Sequence, residues 1–324
     1  AEYLTSKLKT IILRSGAGLK EDAPSRIIAQ MQSDLAGLSK FTSNVRDLDV
    51  TDFESAEKYF EQVRQRASAM GGSPGIPTGF KAMDTAYATG MAPGHLIVGR
   101  GKTWFTSYLA CKAWEQGFKP MIISLEMSPE DMRNRIYTMM GSGLFKASDF
   151  SRGDVNVDDF RSWSKKNFEG KNGFVLVSNE GMGSVNANTV QAKIDQHKPD
   201  LVILDYHQLF SDTKGSTGAT ERNMNVSREF KMLAMNNNIP IIDITAATMD
   251  DVSDQDNPPM LSQVAWSKAI EYDADMAIAI HRYTDTNMIE IVSRKNRHGD
   301  GFGFYLDWDI NRGIIKEIYE NIQK

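Results

Sequence analysis

A lysine and a threonine follow two closely spaced glycines in the stretch HLIVGRGKTWFTSYLA, residues 95–110. In a phosphate-binding loop, backbone N–H groups curl around a phosphate before Lys and Thr side chains reach the same group. Such a loop has four residues between its glycines, whereas only Arg100 separates Gly99 from Gly101 here. Two peptide links extend at most roughly 7 Å, which is too short to encircle a phosphate. Either the loop is broken, or residues are missing from the printed chain.

We expect the second explanation, with about three further residues after Arg100 in the intact protein. The residues that would then contact a nucleotide through this loop are Gly99, Arg100, Gly101, Lys102 and Thr103.

Two carboxylates follow short apolar runs that have the composition of buried strands. Asp205 ends the run in PDLVILDYHQLF, and Glu126 follows the run in KPMIISLEMSPEDMRNRI. At the carboxyl edge of a parallel sheet, Asp205 could hold Mg²⁺ together with Thr103, and Glu126 could activate the attacking water. The alternatives are a turn or cap aspartate at 205 and a surface glutamate stabilised by a helix dipole at 126. Arg135, in the helical segment after Glu126, is a further candidate nucleotide contact.

Short apolar runs alternate with helical patterns from Gly94 onward. The runs are HLIV, PMIIS, FVLVS, DLVILD, IPIIDIT and MAIAI, and the helices between them include 186–198 and 221–237. This alternation predicts a mainly parallel α/β sheet. After residue 287 the runs MIEIVSR, GFGFYLDWD and GIIKEIY follow each other closely, with turns between them. They predict an antiparallel extension at the C-terminal end.

Residues 1–70 have the pattern of polar helices, and GGSPGIPTG at 71–79 has the glycines and prolines of a flexible joint. We therefore predict an N-terminal helical linker segment over 1–74 and one large domain over 75–324. An apolar stripe at helical spacing precedes the joint, and it packs either on this chain's own core or on a neighbouring subunit. The stripe consists of Phe53, Ala56, Phe60, Val63 and Ala67.

Composition narrows the class of protein. The 324 residues are 41% hydrophobic and 24% charged, which is typical of a soluble globular protein. The formal charge of −5 gives no global attraction to nucleic acid, so DNA binding would need a local basic patch or an inner surface. The single cysteine, Cys111, lies at an apolar helix position, which fits a core residue in a reducing cytoplasm. No apolar run approaches the ~20 residues of a membrane span, so no membrane partner is expected.

Several segments, in the right order, resemble the DnaB family of replicative DNA helicases between about Gly75 and Ile318. GIPTGFKAMD is similar to the segment that opens the family's motor domain, ISLEMS to its catalytic-glutamate segment and LDYHQL to its Walker B motif. VSREFKMLAMNNNIPII resembles the next helix and strand, SKAIEYDAD the segment near the DNA-binding loops, and SRKNRHG the basic segment that acts on an adjacent subunit.

The resemblance implies a RecA-like P-loop core, a homohexameric ring, and movement on single-stranded DNA in the 5′-to-3′ direction with duplex unwinding. ATP or another nucleoside triphosphate and Mg²⁺ are the implied cofactors, and a primase and a helicase loader are the implied partners. The N-terminal domain of bacterial members is absent from this chain, which favours a phage-encoded or divergent, truncated member in the cytoplasm, or in the host cytoplasm for a phage.

The chain also departs from the family. Thr245 and Ala246 stand where the family carries a sensor glutamine, so nucleotide sensing differs or is relocated. Near the DNA-binding loops, Trp266 and Lys268 replace an acidic and a small residue, which changes the expected DNA contacts.

Basic residues supply the remaining candidates. Lys214, Arg222 and Lys268, within the segments 211–222 and 249–268, are the predicted DNA contacts, although solvated loop charges are the competing interpretation. In SRKNRHG, Lys295 and Arg297 are two residues apart and would share one face of an extended segment. The resemblance implies that they complete the active site of the adjacent subunit, whereas without it a charged edge strand is the better interpretation.

Two other functions compete with the helicase. One is a RecA-like ATPase of another branch, such as a recombinase. The other is a catalytically inactive ring or scaffold, which only the short glycine spacing supports, since Lys102, Thr103, Glu126 and Asp205 are all retained.

Overall fold

The structure is a computed structural model. It describes residues 2–18, 24, 27–28, 30–31, 34, 48–69, 72, 74–87, 89–100, 103–178, 184–245, 272–283 and 286–318. The chain forms two compact units, Ala1–Phe60 and Glu61–Lys324. The domain boundary predicted between residues 74 and 75 stays a prediction.

The N-terminal part of the chain contains helices α1 (Glu2–Gly18) and α2 (Phe53–Ala69). The Asp52 carboxylate accepts a hydrogen bond from the Ser55 backbone N–H (3.2 Å) at the start of α2, which is the usual way to satisfy a free helix N–H group. Phe53 and Phe60 in the apolar stripe expose 76% and 66% of their surface. Docking of this stripe on a neighbouring subunit stays a prediction.

The strands are β1 (Leu96–Arg100), β2 (Pro120–Ser124), β3 (Val175–Ser178), β4 (Leu201–Asp205), β5 (Ile241–Thr245), β6 (Met276–Arg282), β7 (Met288–Asn296), β8 (Gly303–Asp309) and β9 (Ile314–Ile318). Within the described residues they form one sheet in the order β3-β2-β4-β5-β1-β6-β7-β8-β9. Strands β1 to β6 pair in parallel, and β6 to β9 pair antiparallel. The predicted parallel sheet with its antiparallel extension is therefore confirmed.

The helices that follow α2 are α3 (Lys81–Ala86), α4 (Thr103–Glu115), α5 (Pro129–Gly141), α6 (Ala147–Arg152), α7 (Val157–Phe168), α8 (Ala187–His197) and α9 (Ala219–Asn237). Every residue of β2, β4 and β5 is buried, because helices cover both faces of this part of the sheet. One face packs on α4 and α5, through residues such as Phe105 and Ile203. The other packs on α8 and α9, through residues such as Val202 and Phe230. Cys111 is buried in the first layer with a free thiol, as predicted.

The basic segment differs from the extended geometry that its spacing predicted. Ala277 pairs with Lys295 and Ile278 pairs with Ser293, so Arg294 is the extra residue of a β-bulge in β7. Strand β7 ends at Asn296, and Arg297 begins the bend that follows. The simple two-residue alternation therefore does not carry through to Arg297, because the strand has ended before it.

Candidate active site

The carboxyl ends of β1, β2, β4 and β5 meet at one edge of the sheet, because these strands are parallel neighbours. Asp205 ends β4 there and is 1% exposed. Its Oδ1 accepts a hydrogen bond from the Thr103 hydroxyl at the start of α4 (3.4 Å), and its Oδ2 accepts one from the Ser124 hydroxyl at the end of β2 (3.3 Å). Residues far apart in the chain thus meet at the place expected for Walker A and Walker B side chains.

A cavity of about 790 Å³ opens above this edge. Thr103, Glu126, Arg135 and Asp205 all line it. The Arg135 guanidinium lies over the Trp104 ring, 4.6 Å from the ring centroid, which fixes the cation at the cavity wall. Four of the side chains that the sequence predicted as site residues therefore line the same cavity.

The remaining walls of the cavity include Thr245, which the resemblance placed at the sensor position, and residues that the sequence reasoning missed. The missed residues are Trp104, Phe105, Met127, Tyr206, Ile244, Ile280, Arg282, Ile289, Trp308 and Ile310. Arg282 could have been noticed, because it ends β6 just after the apolar run MAIAI, at the same sheet edge. Trp308 gave no sequence signal, because it reaches the cavity only through the antiparallel pairing of β6, β7 and β8.

The charges at this edge are not balanced by the described residues alone. Burial, and then the nearby charge of Glu126, raise the pKa of Asp205 to about 6, although hydrogen bonds from Thr103 and Ser124 and the charge of Arg135 oppose the rise. Burial also lowers the pKa of the Arg135 guanidinium, against the charges of Asp205 and Glu126. A buried carboxylate with a raised pKa in a cavity is typical of a ligand-binding site.

The donor atoms fit a magnesium ion. Mg²⁺ takes oxygen ligands in an octahedron with bonds near 2.1 Å, which places adjacent ligand atoms about 3 Å apart. Thr103 Oγ1 and Asp205 Oδ1 are 3.4 Å apart. Among the described residues no cluster of three or more His, Cys, Asp or Glu side chains forms a metal site. One hydroxyl and one carboxylate are a donor set that suits a metal bound jointly by protein, water and phosphate.

Arg297 lies at the opposite edge of the sheet. Its backbone N–H donates to the carbonyl of Asp275 (2.9 Å), and Asp275 precedes β6 and accepts from the Leu96 N–H at the start of β1 (2.8 Å). A five-residue strand such as β1 separates the two edges by roughly 16 Å. Arg297 is therefore remote from Glu126 and Asp205 of its own chain, and so is Lys295 near the end of β7.

The Arg297 guanidinium has partners within its own chain. Nη1 is 3.6 Å from the Asp275 carboxylate, and Nη2 donates to the Tyr272 carbonyl. The side chain nevertheless keeps 43% of its surface exposed.

Two of the three predicted DNA contacts lie in described residues. Lys214 donates to the Asn225 side chain (3.1 Å) in the loop before α9. Arg222 lies within α9 and is half-buried, with its backbone N–H bonded to the Gly218 carbonyl (2.9 Å). Lys268, together with the whole of 249–268, lies outside the described residues.

The structure describes the residues on either side of the phosphate-binding loop but not Gly101 and Lys102 within it. Gly99 and Arg100 are the last residues of β1, and α4 begins at Thr103. Gly101 and Lys102 lie outside the described residues, so the number of residues in the loop stays a prediction. Among the described helices, none combines the length and the hydropathy required to cross a membrane.

Comparison with known families and structures assigns this arrangement to one family. The sequence pattern of the DnaB-like helicase C-terminal domain matches residues 75–312. The chain therefore belongs to the DnaB-like helicase family.

The names of similar proteins are consistent with this family assignment. The probable plasmid replicative DNA helicase of Chlamydia psittaci is 30% identical over 254 residues, which are 72% of this chain and 53% of that protein. The replicative DNA helicase DnaC of Bacillus subtilis is 27% identical, with 79% of this chain and 58% of that protein covered. The chain spans little more than half the length of these relatives.

Solved structures share the fold. One solved ATPase domain has a TM-score of 0.72 at 21% identity, covering 84% of this chain and 100% of that one. A DnaB-like replicative helicase, described with its interactions with primase, has a TM-score of 0.75 at 20% identity, covering 98% of this chain and 77% of that one. The RecA-like core predicted from the sequence is confirmed.

Proposed function

We propose that this chain is the motor domain of a replicative DNA helicase, which hydrolyses a nucleoside triphosphate to move 5′-to-3′ along single-stranded DNA and unwind duplex. The observation that carries the proposal is the meeting of Thr103, Glu126, Arg135 and Asp205 around one cavity of about 790 Å³ at the carboxyl edge of the sheet. Relatives that are named replicative DNA helicases support the same activity.

Each side chain at this edge has a proposed role. Lys102 and the backbone of residues 99–103 bind the phosphates, and Arg135 adds a positive charge from the cavity wall. Glu126 accepts a proton from the attacking water. Thr103 and Asp205 hold Mg²⁺, which when bound neutralises phosphate charge and orients the terminal phosphate.

Completion of the site requires a second subunit. Arg297 and Lys295 lie at the far edge of their own sheet, so we assign them to the triphosphate bound by a neighbour in a homohexameric ring. There the guanidinium would exchange its contacts with Asp275 and Tyr272 for the transferred phosphoryl group, whose developing charge it stabilises.

The substrate strand is placed in the channel of the ring, against the segments 211–222 and 249–268. Lys214, Arg222 and Lys268 are the proposed phosphate contacts, with backbone N–H groups as additional donors where the segment is acidic. A primase and a helicase loader are the proposed protein partners, and the primase is suggested by the structural relative described with one. The proposed location is the cytoplasm, or the host cytoplasm for a phage protein.

ATP hydrolysis measured with and without single-stranded DNA, alongside the intact mass of the chain, tests this proposal. We expect hydrolysis that DNA accelerates, and a mass that exceeds the printed sequence by about three residues. An intact mass equal to that of the printed sequence would contradict a full-length phosphate loop. Absence of hydrolysis would favour the scaffold, and strand exchange without unwinding would favour a recombinase.

A further inference from the structure

A buried polar cluster lies on the face of the sheet that packs against α9, next to the turn that follows Asp205. His207 and Asp243 have fully buried side chains, and His207 Nδ1 is 2.6 Å from Asp243 Oδ2. The other ring nitrogen, Nε2, is 3.1 Å from the carbonyl oxygen of Asn223. The histidine thus contacts both a strand and a helix.

Both ring nitrogens are therefore in hydrogen-bonding contact, one with a carboxylate of β5 and one with a backbone carbonyl of α9. Two such contacts fix distance and orientation more strictly than an apolar contact, because hydrogen bonds are directional.

The position of His207 joins the nucleotide cavity to the proposed DNA segment. Tyr206, the preceding residue, lines the cavity, and so does Thr245, two residues after Asp243 on β5. Asn223 directly follows Arg222 near the start of α9. One side chain therefore links the Walker B turn, a central strand and the helix that begins in the proposed DNA segment.

The cluster also contains polar atoms that have no hydrogen-bond partner among the described residues. These buried atoms are Asn223 Nδ2, Asn223 Oδ1, Ser227 Oγ, Asp243 Oδ1 and Thr245 Oγ1. They belong to α9 and β5, the two elements that His207 contacts.

We propose that His207 is a positioning residue that couples DNA binding at 211–222 to hydrolysis at the cavity, acting through its paired contacts with Asp243 and Asn223. The inference rests on the proposed function. It assigns the coupling to the hydrogen bonds of His207, which are separate from the contacts that bind the nucleotide.

The test is the ratio of DNA-stimulated to basal ATP hydrolysis in the double variant His207→Leu/Asp243→Val. Apolar replacement of both members of a buried polar pair commonly preserves the fold, because neither partner is left unsatisfied. We expect unchanged nucleotide affinity and basal rate, with DNA stimulation reduced by about fivefold or more. The matched control is Gln191→Leu/Asn237→Leu, which removes two reciprocal hydrogen bonds (2.9 and 2.8 Å) between α8 and the far end of α9 and should keep full stimulation.

Single variants decide the matter if the double variant does not fold. The amide of His207→Gln occupies the place of Nε2 and can still donate to the Asn223 carbonyl, whereas the amide of His207→Asn occupies the place of Nδ1. We expect stimulation to be retained better in the glutamine variant than in the asparagine variant. The reverse order, or a folded double variant with wild-type stimulation, would overturn the coupling role. Wild-type hydrolysis that DNA does not accelerate would overturn the proposed function as well, so the two failures are distinguishable.

Discussion

The two edges of the sheet each carry a buried aspartate, and the two differ in how their charge is compensated. Asp205, at the carboxyl edge, has two neutral hydroxyl partners and the negative charge of Glu126 nearby, and burial raises its pKa to about 6. At the amino edge, burial alone would raise the pKa of Asp275, but the Lys231 ammonium at 2.6 Å and the Leu96 N–H outweigh burial and lower it.

The difference between the two aspartates indicates which edge requires a ligand. Asp275 is compensated by its own chain, so its role is to hold β1, β6 and the Arg297 segment together. Asp205 lines a cavity and has no cation in direct contact among the described residues, so a bound metal ion is the partner that we expect to balance it. Imbalance of charge, rather than burial as such, distinguishes the binding edge from the structural edge.

Glu126→Gln should have the largest effect at the binding edge. The amide keeps the shape of the side chain but cannot take a proton from water, so turnover should fall by about 10² to 10⁴-fold while nucleotide affinity stays nearly intact. Lys102→Ala should instead weaken nucleotide binding itself. Glu130→Gln, in the first turn of α5, is the matched control and should hydrolyse normally. Unchanged hydrolysis in Glu126→Gln would remove this residue from the catalytic role.

Asp275→Asn tests the structural edge and should destabilise the protein. Removal of the carboxylate leaves Lys231, whose side chain is 19% exposed, without its charge partner. We expect a loss of about 3 kcal/mol in the free energy of unfolding, measured by denaturant titration. Because the pKa of Asp275 is lowered by folding, its stabilising contribution is present above the ordinary value of 3.8 and is lost as the pH falls through the lower folded value. A variant as stable as the wild type would contradict this role.

Asp205→Asn should change the free energy of unfolding in the opposite direction, so that the nucleotide-free protein becomes more stable. A raised pKa means that the ionised carboxylate is unfavourable in the fold at pH 7, so its removal should stabilise by about 2 kcal/mol. In the wild type this stability should be gained as the pH falls from about 6 towards the ordinary value of 3.8, because the folded state takes up the proton first. Magnesium-dependent hydrolysis should be lost in Asp205→Asn. An Asp205→Asn variant that is destabilised and still hydrolyses ATP would contradict the proposed difference between the two edges.

The smallest effects should come from the proposed DNA contacts. Lys268→Ala and Lys214→Ala should each weaken single-strand binding uniformly across sequences and lower the salt slope of log affinity by about 1. Lys165→Ala, on α7, is the control for loss of a surface cation. A residue whose removal leaves both the affinity and the salt slope unchanged would be withdrawn from the interface.

The sequence was most informative where one short segment fixes both structure and chemistry. Apolar runs that end in a polar residue located the carboxyl edge, because parallel strands buried on both faces have almost no polar residues until they end. Asp205 and Glu126 were found in this way.

The sequence was least informative where pairing between distant segments decides the geometry. Trp308 reaches the cavity through strand pairings that no local pattern encodes. The bulge at Arg294 changes the direction of side chains in β7, although the local sequence resembles a regular strand. His207 lies within LDYHQL but gives no local signal of its role, because its partner Asp243 is 36 residues away on another strand.

Mixed rings test most directly the claim that the two edges of neighbouring subunits form one active site. Arg297→Ala subunits, which keep Glu126, are combined with Glu126→Gln subunits, which keep Arg297, and ATP hydrolysis is measured in assembled hexamers. We expect hydrolysis by each variant alone to be reduced by about 10²-fold or more, and activity to return in mixtures, at interfaces that join an intact Glu126 to a neighbour's Arg297. Mixtures as inactive as the separate variants, or Arg297→Ala hexamers that hydrolyse at the wild-type rate, would contradict the shared site.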